Sequence, residues 1–229
     1  MSYGFRVEIK GDYACFSRPE LKVERVSYEA ITPSAARGIL EAVIWKPAIK
    51  YIIDQIAICA PIRFENIRRN ELSSKIPHCS VMNAEKKLLS GDLYLNASHD
   101  RTQRASMVLR NVWYIIDFHF EMTDKAGTED NEGKFSAMLC RRLEKGQNYH
   151  NPYLGVREFP ASIRLIAENE VLPEPIHDTR SLGLMLYDIE YVKSIGKDGK
   201  ELVTSFEPIY FLAEMKHGVI NLRDSEVLR

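Results

Sequence analysis

The sequence predicts an α+β fold, and three features carry the prediction: alternating apolar residues near both ends of the first 165 residues, two helical stripes between them, and an alternating last quarter without a helical stripe. Phe5, Val7 and Ile9 alternate with Arg6, Glu8 and Lys10, which predicts a half-buried strand ending near Gly11-Asp12. Thr32 offers an N-cap and Pro33 suits the first helical position. Ala36, Ile39, Leu40 and Val43 then share one helical face before Pro47 stops the run. The isoleucine-rich stretch from Tyr51 to Cys59 predicts a second strand. A polar excursion from Arg63 to Arg101 follows and commits to no element. Val112, Tyr114, Ile116, Phe118 and Phe120 alternate with Trp113, Ile115, Asp117, His119 and Glu121, the clearest strand in the chain. From Lys134 to Lys145, Phe135, Met138, Leu139 and Leu143 recur at helical spacing and Gly146 ends the run. The loop Asn148 to Gly155 leads to an apolar strand around Ile163 to Ile166.

The resulting order, β-α-β-β-α-β, is the split βαβ of ferredoxin-like (RRM-type) folds, predicted here for residues 1–168 with an insertion at about 62–105. Such sheets carry helices on one face and leave the other open. RRM domains use that open face for single-stranded RNA, although many ferredoxin-like domains bind no nucleic acid. Residues 169–229 predict a small antiparallel β unit. In it the runs Leu182 to Val192 and Phe206 to Glu214 flank the hairpin signal Gly196-Lys197-Asp198-Gly199, and Gly218 to Leu222 closes the unit.

Composition sets the limits. A chain of 229 residues with 45% hydrophobic and 28% charged content can bury a substantial core. No apolar run approaches the ~18 residues of a membrane span, and Arg6, Glu8 and Lys10 interrupt any N-terminal leader, so a cytoplasmic protein without membrane partners is expected. Cys15, Cys59, Cys79 and Cys140 stand far apart with no C-x-x-C pair, which predicts free thiols, no metal and no cofactor. His78 beside Cys79 is the one neighbouring pair of ligand types, but adjacent residues in an extended chain point to opposite sides. The formal charge of −1 conceals an asymmetry. Residues 166–229 hold seven Lys/Arg against twelve Asp/Glu, net −5, which leaves +4 on residues 1–165. A nucleic-acid face is therefore sought in the first two-thirds, with ordinary surface charge as the alternative.

Several blocks carry a resemblance: GDYACFSRPE (11–20), VERVSY (23–28), TPSAARGILEA (32–42), WKPAI (45–49), IRRNE (67–71), CRRLEKGQ (140–147), PYLGVREFP (152–160) and LGLMLYDIEY (182–191). With the pair Gln103-Arg104 and the closing HGVI (217–220), they resemble the CRISPR-associated Cas-five family, Dvulg or type I-C branch, over nearly the whole chain. The resemblance implies a RAMP-superfamily protein with an RRM-like N-terminal domain. It further implies metal-independent cutting of the CRISPR precursor transcript within its repeats. The protein would then stay on the guide RNA beside the backbone and large subunits of a type I-C interference complex.

RNA can be cut without a metal when its own 2′-hydroxyl attacks the neighbouring phosphate. That reaction needs a base for the hydroxyl, an acid for the leaving 5′-oxygen and a cation for the phosphorane. The resemblance assigns these roles to a tyrosine or histidine just before the Trp-Lys-Pro tripeptide and to a lysine-histidine pair opening the second helix. Here Ile44 occupies the first position, Lys134 keeps the lysine and Phe135 replaces the histidine. Tyr149, His150 and Tyr153, in the loop after the second helix, are the substitute proton carriers, so Lys134, Tyr149 and His150 form the catalytic set. Lys134 has two readings. A cation at a helix N-terminus opposes the macrodipole unless a phosphate is recruited there, and Gly133 permits close approach; alternatively it is a solvated lysine following Glu129, Asp130 and Glu132.

The candidate phosphate track comprises Arg18, Lys22, Arg25, Lys46, Arg68, Arg69, Arg104, Arg141, Arg142 and Lys145. Arg142 and Lys145 also suit a helix C-terminus on structural grounds alone. Phe16, Trp45 and Trp113 could stack on bases or belong to the core. Two functional classes follow: an endoribonuclease that cuts the repeat and keeps one product, and a non-catalytic RNA-binding subunit that caps the guide's 5′ end. A metal-dependent nuclease is disfavoured, because no paired carboxylate and histidine motif stands out in the sequence.

Overall fold

The computed structural model describes residues 4–21, 23–87, 94–167, 169–195, 201–223 and 225–228. Three elements open the chain: strands β1 (Phe5–Ala14) and β2 (Arg25–Val26), then helix α1 (Pro33–Val43). Next come β3 (Ile49–Ile58), β4 (Phe64–Leu72), α2 (His78–Lys87), β5 (Arg101–Met122), α3 (Glu132–Glu144) and β6 (Ser162–Leu165). The C-terminal part holds β7 (Arg180–Ile195), β8 (Glu201–Lys216), β9 (Val219–Asn221) and β10 (Val227–Leu228). The architecture is α+β, a large and mostly antiparallel sheet with few helices. Its strands run β10-β8-β9-β3-β5-β1-β6, with β2 and β4 also on β5 and β7 on β8. None of the described helices is long and apolar enough to cross a membrane.

Alternation sets the two faces. Val7, Ile116 and Ile56 stand side by side across β1, β5 and β3, all fully buried in the main core. Their neighbours Ile115, Ala57 and Ile166 form a smaller cluster of their own. α1 presents Ala36, Ile39, Leu40 and Val43 to the main core. It starts as the sequence predicts: the Thr32 hydroxyl accepts from the Ala35 amide at 3.2 Å, and Pro33 fills the position where no donor is needed. α3 buries Phe135, Leu139 and Leu143 and ends at Glu144, capped by Lys145, before Gly146, whose φ of 61° turns the chain back. All four cysteines are free thiols.

The structure corrects several boundaries. β1 runs through Gly11-Asp12 to Ala14, because β5 extends far enough to pair Gly11 with Val112 and Tyr13 with Arg110. β5 begins at Arg101, well before Val112, and its first half pairs with β4. The polar excursion thus contains β4 and α2; β4 alternates between exposed and half-buried residues, so its sequence has no apolar face to read. α3 starts at Glu132 rather than Lys134, since Asn131 takes the N-cap. The C-terminal hairpin is longer than its apolar runs, extending to Ile195 paired with Glu201. Its predicted Gly196-Lys197-Asp198-Gly199 turn lies outside the described residues.

Candidate functional site

The end of α1 organises a cleft. The last carbonyls of a helix have no partner within it and must find donors elsewhere. Here the Ala42 carbonyl accepts from the amides of both Tyr149 (2.8 Å) and His150 (3.0 Å), and the Val43 carbonyl accepts from Arg142 Nη1 at 2.6 Å. The loop after α3 is therefore fixed to α1. Its far side is fixed just past the end of β1, where the Cys15 amide donates to the Leu154 carbonyl at 3.0 Å. Gly155 allows that approach: its φ is 82°, and a Cβ there would stand 2.0 Å from the Cys15 carbonyl oxygen.

Between α1 and this loop lies a cleft of about 600 Å³. Gly38, Glu41 and Trp45 line it from the α1 side, and Tyr149, His150 and Arg157 from the loop. The Tyr149 and His150 rings meet edge to face, with centroids 4.4 Å apart. Trp45 is 61% exposed and Tyr149 73%. Burial pushes the Glu41 carboxyl above the usual carboxylate range, Asp188 adds to that, and the Arg37 guanidinium opposes it.

Lys134 is not among the cleft-lining residues. Its amide donates to the Asn131 cap at 2.9 Å, and its ammonium donates to Asp130 Oδ1 at 2.8 Å. The hydrogen bond to Asp130 raises the lysine above its ordinary range and lowers the aspartate. The charge of Lys46 also helps hold Asp130 low. Ile44 and Phe135 are core residues, 1% and 2% exposed. The Tyr51 hydroxyl donates to the Ile44 carbonyl at 3.0 Å, but burial raises this phenol far above its usual range.

The family model described as CRISPR-associated protein (Cas_Cas5), for Cas5d, matches residues 4–223. The chain is 48% identical over 226 residues to the CRISPR pre-crRNA endoribonuclease Cas5d of Mannheimia succiniciproducens, covering 97% of this chain and 96% of the relative. The chain belongs to the Cas5d family. The protein of the same name from Thermus thermophilus is 36% identical over 221 residues, covering 93% of this chain and 88% of its own length. A crystal structure of a CRISPR-associated protein shares the fold, with a TM-score of 0.67 at 21% identity over 100% of this chain and 97% of that one.

In this Cas5d-family chain the predicted cations fall into two groups. Arg18 lies over the Tyr28 ring, Arg25 and Arg104 both reach Glu71, Arg69 pairs with Glu158 and donates to Ser106, and Arg142 holds Val43. Among the described residues, the side chains of Lys46, Arg68, Arg141 and Lys145 make no hydrogen bond or ion pair. Lys22 lies outside the described residues. Of the aromatic candidates, Phe16 is buried in the core and Trp113 is covered by Lys10, with its Nε1 donating to Glu8. Only Trp45 of the three borders the cleft.

The structure therefore brings Tyr149, His150, Tyr153 and Trp45 together and leaves the Lys134 side chain outside their cleft. Sequence reasoning missed Glu41 and Arg157. Glu41 sits four residues after Arg37 on the polar side of α1, and Arg157 within the block PYLGVREFP; both look like solvated charges until the loop folds over the helix.

Proposed function

We propose that this chain is an endoribonuclease that binds precursor CRISPR RNA, cuts it within the repeat by metal-independent attack of the RNA 2′-hydroxyl, and stays on the guide RNA. The observation that carries the reading is the pairing of Tyr149 with His150, a phenol and an imidazole set 4.4 Å apart on one cleft with the cation Arg157. These supply the three kinds of group the reaction needs. The two relatives named as pre-crRNA endoribonucleases support it. In this reading Lys134, which lies outside the cleft and pairs with Asp130, is a second cation beside Arg157 and stabilises the phosphorane by exchanging Asp130 for the scissile phosphate. Of the candidate track, and among the described residues, Lys46, Arg68, Arg141 and Lys145 are available to the RNA backbone without breaking an ion pair.

The sheet order β6-β1-β5-β3, with α1 between β1 and β3 in the chain and α3 between β5 and β6, supports a ferredoxin-like reading of residues 1–168. Residues 169–229 form the second unit, joined to the first sheet where β9 pairs with β3. The partners in this reading are the repeat RNA and the backbone and large subunits of a type I-C complex, in the cytoplasm. No cofactor takes part.

A second reading, a non-catalytic subunit capping the guide's 5′ end, is favoured by Ile44 and Phe135, which fill two proton-transfer positions of the family with buried apolar side chains. One experiment separates them. Purified protein is incubated with its cognate repeat RNA, with and without EDTA, and the ends are mapped. EDTA-resistant cutting to a 5′-hydroxyl and a 2′,3′-cyclic phosphate establishes the enzyme; tight binding without cutting leaves the structural subunit.

A further inference from the structure

We propose that the cleft between α1 and the Tyr149–Arg157 loop receives one nucleobase of the bound RNA, turned out of its strand, and that Glu41 selects guanine there. The inference rests on the reading of this cleft as an RNA site. Trp45 and Tyr149 leave large aromatic surfaces uncovered on its two sides, 61% and 73% exposed. Unstacked bases of single-stranded RNA are bound on such surfaces. The volume, about 600 Å³, is in the range of small-molecule pockets of roughly 300–1,000 Å³.

Glu41 supplies the selection. Both terminal nitrogens of Arg37 donate to Asp188, so the arginine nearest Glu41 is already committed. Its remaining Nε forms an ion pair with Glu41 Oε1 at 3.4 Å, outside hydrogen-bond geometry, and is itself a buried donor without a hydrogen-bond partner. Beyond that ion pair, no donor among the described residues hydrogen-bonds the Glu41 carboxylate, so its hydrogen-bond acceptor capacity is left to the cleft. Two carboxylate oxygens match two adjacent donors. On the Watson–Crick edge only guanine has these, N1–H beside N2–H₂. Adenine and cytosine set one amine beside an acceptor, and uracil sets one N–H between two carbonyls. Arg157, with no ion pair among the described residues, is placed to take the phosphate of the same nucleotide.

The test cross-links the intact repeat RNA to the protein by ultraviolet light and identifies, by mass spectrometry, the nucleotide joined to Trp45, Tyr149 or Tyr153. That guanosine is then replaced by inosine, which lacks the 2-amine, and affinity is measured with wild type and with E41Q. The expected result is a cross-linked guanine, a loss of roughly 10-fold in affinity on inosine substitution in the wild type, and no further loss from inosine in E41Q. A cross-link to another base, or inosine tolerated by the wild type, overturns guanine selection while RNA still occupies the cleft. RNA bound with cross-links only outside the cleft overturns the cleft's role in RNA binding as well. The inosine comparison in the wild type decides the matter even if E41Q does not fold.

Discussion

Arg142 on α3 donates through Nη1 to the carbonyl oxygen of Val43 at 2.6 Å, so one helix completes the end of the other across the fold. This guanidinium therefore does structural work, unlike Arg68, whose side chain makes no hydrogen bond or ion pair among the described residues. Arg142→Ala is expected to lower stability by about 2 kcal/mol, the range for a hydrogen bond to a charged group. Arg68→Ala should leave the thermal midpoint unchanged while reducing the salt slope of repeat-RNA binding by about 0.7, one single-strand phosphate contact. Melting curves and binding isotherms at several salt concentrations check both; an unchanged slope in Arg68→Ala returns that residue to ordinary surface charge.

Lys134 is expected to act on charge rather than on fold. With its ammonium outside the core and already paired with Asp130, Lys134→Ala should melt at the wild-type temperature. Under single-turnover conditions its cleavage rate should fall by roughly 10²-fold, the cost of removing one transition-state donor. Because Asp130 raises the lysine above its ordinary range, the side chain stays cationic through neutral pH, and the role proposed for it is that of a charge, not of the base. Cleavage at the wild-type rate would move the chemistry entirely to Tyr149 and His150.

Gly155→Ala tests how far the cleft depends on its loop. The positive φ strains any side chain, and the added Cβ meets a backbone oxygen that cannot rotate away. A loss of at least about 2 kcal/mol in a denaturant titration is expected, together with slower cleavage, since the same loop carries the proposed proton carriers Tyr149 and His150. A stable and fully active variant would show that the loop is not held where Cys15 and Ala42 place it.

Asp54 gives the protein an acid limb. It is buried, and burial alone would raise its carboxyl, yet hydrogen bonds from Arg223 and His119 lower it overall. A folded value below the unfolded one stabilises the fold above the unfolded carboxylate range and loses that contribution as pH falls through the folded value. Below about pH 4, urea midpoints of the wild type should therefore drop more steeply than those of Asp54→Asn. At pH 7 the variant should be less stable by about 1–3 kcal/mol. Parallel curves for the two proteins down to pH 3 would remove Asp54 from this role.

Elements buried on one face were legible in the sequence. β1, α1 and the second half of β5 each put apolar residues on the core side at the right period, and the structure places Val7, Ile39 and Ile116 there. β4 was not legible, because backbone hydrogen bonds to β5 hold it and they leave no mark on side-chain type. The site shows the same division. Tyr149 and His150 could be chosen by chemistry, but their meeting with Trp45 depends on the Ala42 carbonyl, which no residue pattern announces. The Lys134–Asp130 pair was within reach, since the acidic run before α3 places a carboxylate four residues away.

β1 and β3 never pair with each other; each lies against β5 from opposite sides. During translation, then, everything up to Ile58 emerges before the strand that joins it. At about 5–20 residues per second, Val7, Ile9, Ile53 and Ile56 wait several seconds for Arg101–Met122 to leave the ribosome. The nascent chain spends that interval with two apolar strands unpaired on both edges, since β6 and β9 follow later still, the form of this protein that a chaperone would meet.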